Sequence, residues 1–85
     1  MKMAGQISEV DTIIKSLDEI QEDINVPKNV RIKIEAIANT LREDTELPIK
    51  INKALNELDG LSTDVNLQAY TRTQIWNIMS VLEKL

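Results

Sequence analysis

Asp18, Glu19, Glu22 and Asp23 place four carboxylates within six residues of the sequence. On a helix their spacing stacks Asp18 over Glu22 and Glu19 over Asp23. Mutual repulsion and the helix dipole each oppose acids at a C-terminal end by roughly 0.3 kcal/mol. A hard cation such as Mg²⁺ or Ca²⁺, or a basic partner, would relieve that repulsion. The simpler account is a solvated acidic face, partly neutralised by Lys28 and Arg31, and the absence of an Asp-x-Asp-x-Asp-Gly loop favours it. Glycoside hydrolysis needs a cleft between its two acids, whereas these lie along one helical surface.

The sequence contains neither histidine nor cysteine. It therefore lacks the usual ligands of zinc, copper and nickel, the usual general base near neutral pH, the base of serine-type triads and any thiolate. Ser8, Ser16, Ser62 and Ser80 lie in no Gly-x-Ser-x-Gly elbow. The sequence assigns no catalytic residue, cofactor or metal site, and the chain reads as a non-enzyme. Activity that required Mg²⁺ and was abolished by Asp23→Asn would revive an enzymatic reading.

Charge chemistry of a second kind lies in two Asp and Arg pairs, Asp23 with Arg31 and Asp64 with Arg72, which recur at an offset of 72 − 31 = 41. The shift aligns Asp23-Ile24-Asn25-Val26 with Asp64-Val65-Asn66-Leu67, and Val10 with Ile51, Leu17 with Leu58, Ile20 with Leu61, Ile34 with Ile75, Ile37 with Ile78 and Leu41 with Leu82. One helical hairpin cannot cover its own apolar face, but two copies can cover each other. The expected fold is all-α: a four-helix up-down-up-down bundle of two repeated hairpins, residues 7–44 and 48–85, in a single domain. Each Arg is then placed to reach back to its Asp and to exposed carbonyls of the preceding helix, as a loop clamp. Its removal would cost up to about 1 kcal/mol if the pair is exposed. The alternative is an anion site, because both arginines sit beside helix N-termini; the neighbouring aspartates and the lack of a glycine-rich loop oppose it.

Apolar periodicity supplies the elements. Ile7, Val10, Ile13, Ile14, Leu17, Ile20 and Ile24 form one stripe and predict a helix from about Gln6 to Asp23. Asn25 is placed to cap a second helix with Pro27 in its first turn. The stripe of that helix is Val30, Ile34, Ile37, Ala38 and Leu41, and it ends near Arg42 or Glu43. Residues 43–46 supply a turn and a cap, and Leu47-Pro48 open a third helix whose stripe is Leu47, Ile51, Ala54, Leu55 and Leu58. Gly60 would ordinarily stop it, but its repeat partner is Glu19, inside helix 1, so the helix is expected to reach Ser62 or Thr63. Asn66 caps the fourth helix, which runs through Ile75, Ile78, Met79 and Leu82 to the C-terminus.

At 85 residues the chain supports one small core, which makes oligomerisation a natural supplement. The net charge of −4 disfavours a stand-alone nucleic-acid binder. Lys28, Arg31, Lys33, Lys50, Lys53 and Arg72 are not interleaved with aromatics, since Tyr70 and Trp76 are the only ones. No run approaches the roughly 18 apolar residues of a membrane span. Met1-Lys2-Met3-Ala4-Gly5 leads into a charged helix rather than a secretory segment, so no membrane association and a cytoplasmic location are expected.

The octet Thr71-Arg72-Thr73-Gln74-Ile75-Trp76-Asn77-Ile78, with Val26-Pro27-Lys28-Asn29-Val30-Arg31 and the Leu17-Asp18-Glu19-Ile20 lead-in, resembles a small archaeal family, uncharacterised protein family 0147. The likeness covers nearly the whole chain. It implies a compact four-helix bundle from an archaeal cytoplasm and brings no catalytic residues with it. Gln68 stands where the first half has Pro27, which implies a differently built second loop.

Helix 4 carries the widest apolar arc. Val81, Leu85, Ile78, Leu82, Ile75, Met79 and Trp76 span about 220°, more than one side of a bundle normally uses. Either this helix touches both neighbours, with Trp76 lying along a seam, or Trp76 anchors an interface. Ile32 and Ile49 also point away from their own stripes. The candidate interface is thus Trp76, Met79, Val81, Leu85, Ile32 and Ile49. The leading reading is a non-enzymatic interaction module that self-associates or binds another protein. Its rival is an accessory subunit of a nucleoprotein assembly, contacting RNA phosphates through Lys28, Arg31, Lys33 and Arg72.

Overall fold

Four helices form where the periodicity places them. The computed structural model describes residues 9–85 and contains α1 (Glu9–Gln21), α2 (Lys28–Arg42), α3 (Leu47–Ser62) and α4 (Ala69–Glu83). The expected first turn, Gln6 to Ser8, and the Met1–Gly5 lead lie outside the described residues. α1 packs on α2 and α4, and α3 packs on the same two, closing a four-membered ring. With connections limited to residues 22–27, 43–46 and 63–68, sequential helices are antiparallel.

The core is aliphatic and follows the predicted stripes. Leu17, Ile20, Val30, Ile34, Ile37, Leu41, Leu58, Ile75 and Leu82 are the largest fully enclosed side chains. Val10, Ile14, Leu55 and Met79 pack against them from the margin. At the repeat offset the aligned pairs Leu17 and Leu58, Ile20 and Leu61, Val26 and Leu67, Ile34 and Ile75, Ile37 and Ile78, and Leu41 and Leu82 are all buried. Leu47, expected inside, is partly exposed because it is the first residue of α3.

Helix ends depart from expectation. Neither Asn25 nor Asn66 is an N-cap. Each donates its own backbone N–H to a carboxylate two residues back: Asn25 to Asp23 Oδ1 at 2.9 Å and Asn66 to Asp64 Oδ1 at 2.8 Å. These are Asx turns, in which an aspartate side chain stands in for a backbone carbonyl. The following helices begin later, with Pro27 and Gln68 at the cap positions and no side-chain cap bond. Glu46 caps α3 in position only, again without a side-chain bond.

The two turns are built alike, contrary to the expectation drawn from Gln68. Asp23 N–H donates to Ile20 O and Asp64 N–H to Leu61 O; Val26 N–H donates to Asp23 O and Leu67 N–H to Asp64 O; Arg31 N–H donates to Pro27 O and Arg72 N–H to Gln68 O. The turn uses the carbonyl of residue 27 or 68, not its N–H, so a residue without a ring suffices. Gln68 adopts φ −71°, close to the φ of −57° at Pro27.

α3 continues through Gly60, and a Cβ built there would meet nothing within 4 Å. Glycine in a helix interior loses more chain entropy than alanine. Gly60→Ala should therefore raise stability by about 0.5–1 kcal/mol, measurable as an increased urea midpoint at unchanged slope. A loss of stability would contradict a continuous α3.

Candidate interaction surface

The broad apolar arc of α4 divides into a buried centre and exposed flanks. Ile75, Ile78 and Leu82 are enclosed by the bundle, and Met79, assigned to the candidate interface, is partly buried against the core. Trp76 is 53% exposed, and Val81 and Leu85 also face outward. Five residues separate Trp76 from Val81, which puts them about 140° apart on opposite flanks of the helix. Leu85 joins Leu47, Pro48, Ile51, Leu55 and Leu82 around a concavity of about 310 Å³ between α3 and α4. Ile49 and Ile32 are both more than half exposed, on α3 and α2.

The sequence reading missed a further exposed set. Ile24, placed by periodicity in the stripe of helix 1, is 87% exposed, and Val65 at the matching position is 90% exposed. α1 ends at Gln21, and the Asx turn that follows puts Val26 into the core in place of Ile24. The signal was present in both copies as Asp-x-Asn, a pattern that favours a turn over a helix end. Since α1 and α3 run parallel, both apolar tips crown the same end of the bundle. Tyr70, in the first turn of α4, is exposed as well.

The four clamp residues behave unequally. The Arg72 guanidinium closes the second turn: Nε donates to the Ser62 carbonyl and Nη2 to the Asp64 carbonyl, both at 2.9 Å. Its partners are main-chain oxygens, while the Asp64 carboxylate is occupied by the turn amide. Asp23 is likewise bound to its own turn. Arg31 makes no corresponding bond among the described residues, and its Nε is buried without a partner.

Charges elsewhere are also distributed differently from expectation. Asp18 is paired with Arg42 from the last turn of α2, at 3.1 Å between Nη2 and Oδ2, rather than with Arg31 or Lys28. Both side chains are about half exposed, so the bridge contributes at most about 1 kcal/mol. Lys53 and Glu43 approach only to 3.9 Å. Among the described residues no group of three acidic side chains is arranged to hold a metal ion. The basic residues do not form one face. Lys28 and Arg31 line a concavity with Gln21, Ile32 and Glu35, Lys33 lines another with Asn56, Glu57, Gly60 and Leu61, and Arg72 is committed to two carbonyls. No helix among the described residues is long and apolar enough to cross a membrane.

Known proteins share both sequence and fold with this chain. A relative from Methanocaldococcus jannaschii is 42% identical over 80% of this chain and 74% of its own length. One from Archaeoglobus fulgidus is 34% identical over 89% of this chain and 87% of its own. A third, from Thermoplasma volcanium, is 33% identical over 100% of this chain and 97% of its own. The crystal structure of a protein of unknown function, MMP1188, superposes with a TM-score of 0.86 at 38% identity, covering 96% of this chain and 98% of that one. The sequence profile of an uncharacterised protein family, UPF0147, matches residues 1–85, and the chain belongs to that family.

Proposed function

We propose that the chain is a non-enzymatic helical interaction module of the archaeal cytoplasm that works by self-association, with the outer flanks of α4 as its contact surface. The observation that carries this reading is the half-exposed Trp76 on a helix whose inward stripe already fills the core. Tryptophan in water leaves a large apolar area uncovered, and covering such area yields roughly 25 cal/mol per Å². Val81, Leu85, Ile49 and the concavity between α3 and α4, whose lining also includes Asn52 and Glu83, extend the surface. The absence of histidine and cysteine from the sequence is consistent with work done by contact rather than chemistry.

Trp76→Ala tests the reading. The variant should convert a dimer or larger species to monomer at matched concentration while retaining its helical circular dichroism, because Ile75, Ile78 and Leu82 still fill the core. Unchanged association by the folded variant would remove Trp76 from the interface.

A further inference from the structure

Two arginines at matched positions of two turns that share their main backbone bonds do different things. Arg72 satisfies itself on the carbonyls of Ser62 and Asp64. The matching carbonyls beside Arg31 belong to Gln21 and Asp23, yet Arg31 bonds to neither, and its Nε is enclosed with no acceptor. A buried donor on a cation is costly to leave unpaired, more so than a neutral one. The Arg31 side chain also lines, with Lys28, Gln21, Ile32 and Glu35, a surface concavity of about 320 Å³. Lys28 adds a second cation, Ile32 supplies an apolar wall, and the Gln21 amide, whose Nε2 donates to Asp18 Oδ1 at 3.3 Å, borders the site.

From this asymmetry we infer that the concavity is a binding site for a phosphate-class oxyanion, held by the Arg31 guanidinium with Lys28 as a second positive charge. A planar guanidinium offers parallel N–H donors that match two oxygens of one phosphate, a geometry lysine lacks. Glu35 limits the site. With Lys28, Arg31 and Glu35 charged, the lining carries one net positive charge, which suits a single phosphate group better than a polyphosphate chain. The second hairpin cannot duplicate the site, because Ala69 stands at the position of Lys28, Trp76 at that of Glu35, and Arg72 is already bonded.

The test is a titration of the ¹⁵N-labelled protein with inorganic phosphate, with sodium chloride at equal ionic strength as control, following the Arg Nε–H and backbone amide signals. Arg31 Nε–H and the Lys28 amide should shift saturably with phosphate and not with chloride, while Arg72 Nε–H stays in place. Arg31→Lys keeps the charge but loses the fork and should weaken binding about tenfold; Glu35→Gln should tighten it several-fold. A short single-stranded RNA tests the other source of phosphate. It should perturb the same signals no more strongly per phosphate than the free ion. The inference is overturned if phosphate gives no saturable shift, if Arg31→Lys binds phosphate as tightly as the wild type, or if Arg72 responds equally. Tight RNA binding spread over Lys33, Lys50 and Lys53 would overturn it too, replacing a local site with a nucleic-acid surface.

Discussion

Leu58→Ala is expected to cost about 2–5 kcal/mol, the range for truncating an enclosed leucine without collapse of the cavity. Leu58 is fully buried. Natural domains have only about 5–15 kcal/mol of total stability, so this single change should remove a large share of it. Leu17→Ala, at the matched position in α1, should cost a similar amount, since Leu17 is equally enclosed. Ile24→Ala and Val65→Ala provide the contrast. Both side chains project into water, and their loss should change stability by less than about 0.5 kcal/mol. Urea denaturation of the four variants separates the buried pair from the exposed pair. A large cost at Ile24 would mean that the first helix carries its stripe onward as the periodicity suggested.

The arginines provide the second large effect. Arg72→Met keeps much of the apolar stem and removes two hydrogen bonds from a charged donor to the Ser62 and Asp64 carbonyls. The carbonyls are left without that partner, and a loss of about 1.5–3 kcal/mol is expected. Arg31→Met, measured in phosphate-free buffer, should lie within about 1 kcal/mol of wild type and can be stabilising, because it removes an enclosed donor that has no acceptor. Equal costs at the two positions would show that Arg31 clamps its own turn in solution. The two residues occupy equivalent positions of the repeat, and only the geometry separates them.

Much of the architecture was legible because burial in a helical bundle is written at a period of 3.6 residues. Ile13, Leu17 and Ile20 on α1, Val30, Ile34, Ile37 and Leu41 on α2, and Ile75, Ile78 and Leu82 on α4 all lie where the stripes put them. The repeat also resolved Gly60, whose composition alone argued for a helix end and which lies inside α3. Periodicity failed at the turns. Ile24 continues the stripe of Ile20 in register, but the chain has left the helix by then, and an aspartate side chain competes successfully for the backbone amide of Asn25. The same competition in the second turn displaced Asn66 from the cap assigned to it. The candidate surface was partly legible: Trp76, Val81, Leu85, Ile32 and Ile49 are exposed, whereas Met79 leans into the core. Long-range pairing was not legible at all. Asp18 meets Arg42 because α2 returns along α1, a relation that no local spacing encodes.

Self-association through α4 is tested most directly by static light scattering of the wild-type protein from low to high micromolar concentration at physiological salt. The protomer mass is 9.7 kDa. The account predicts a weight-average mass that rises with concentration to at least twice that value, and a rise that Trp76→Ala abolishes. A mass that stays at 9.7 kDa throughout would contradict it and leave Trp76 and its neighbours as contacts for a different protein.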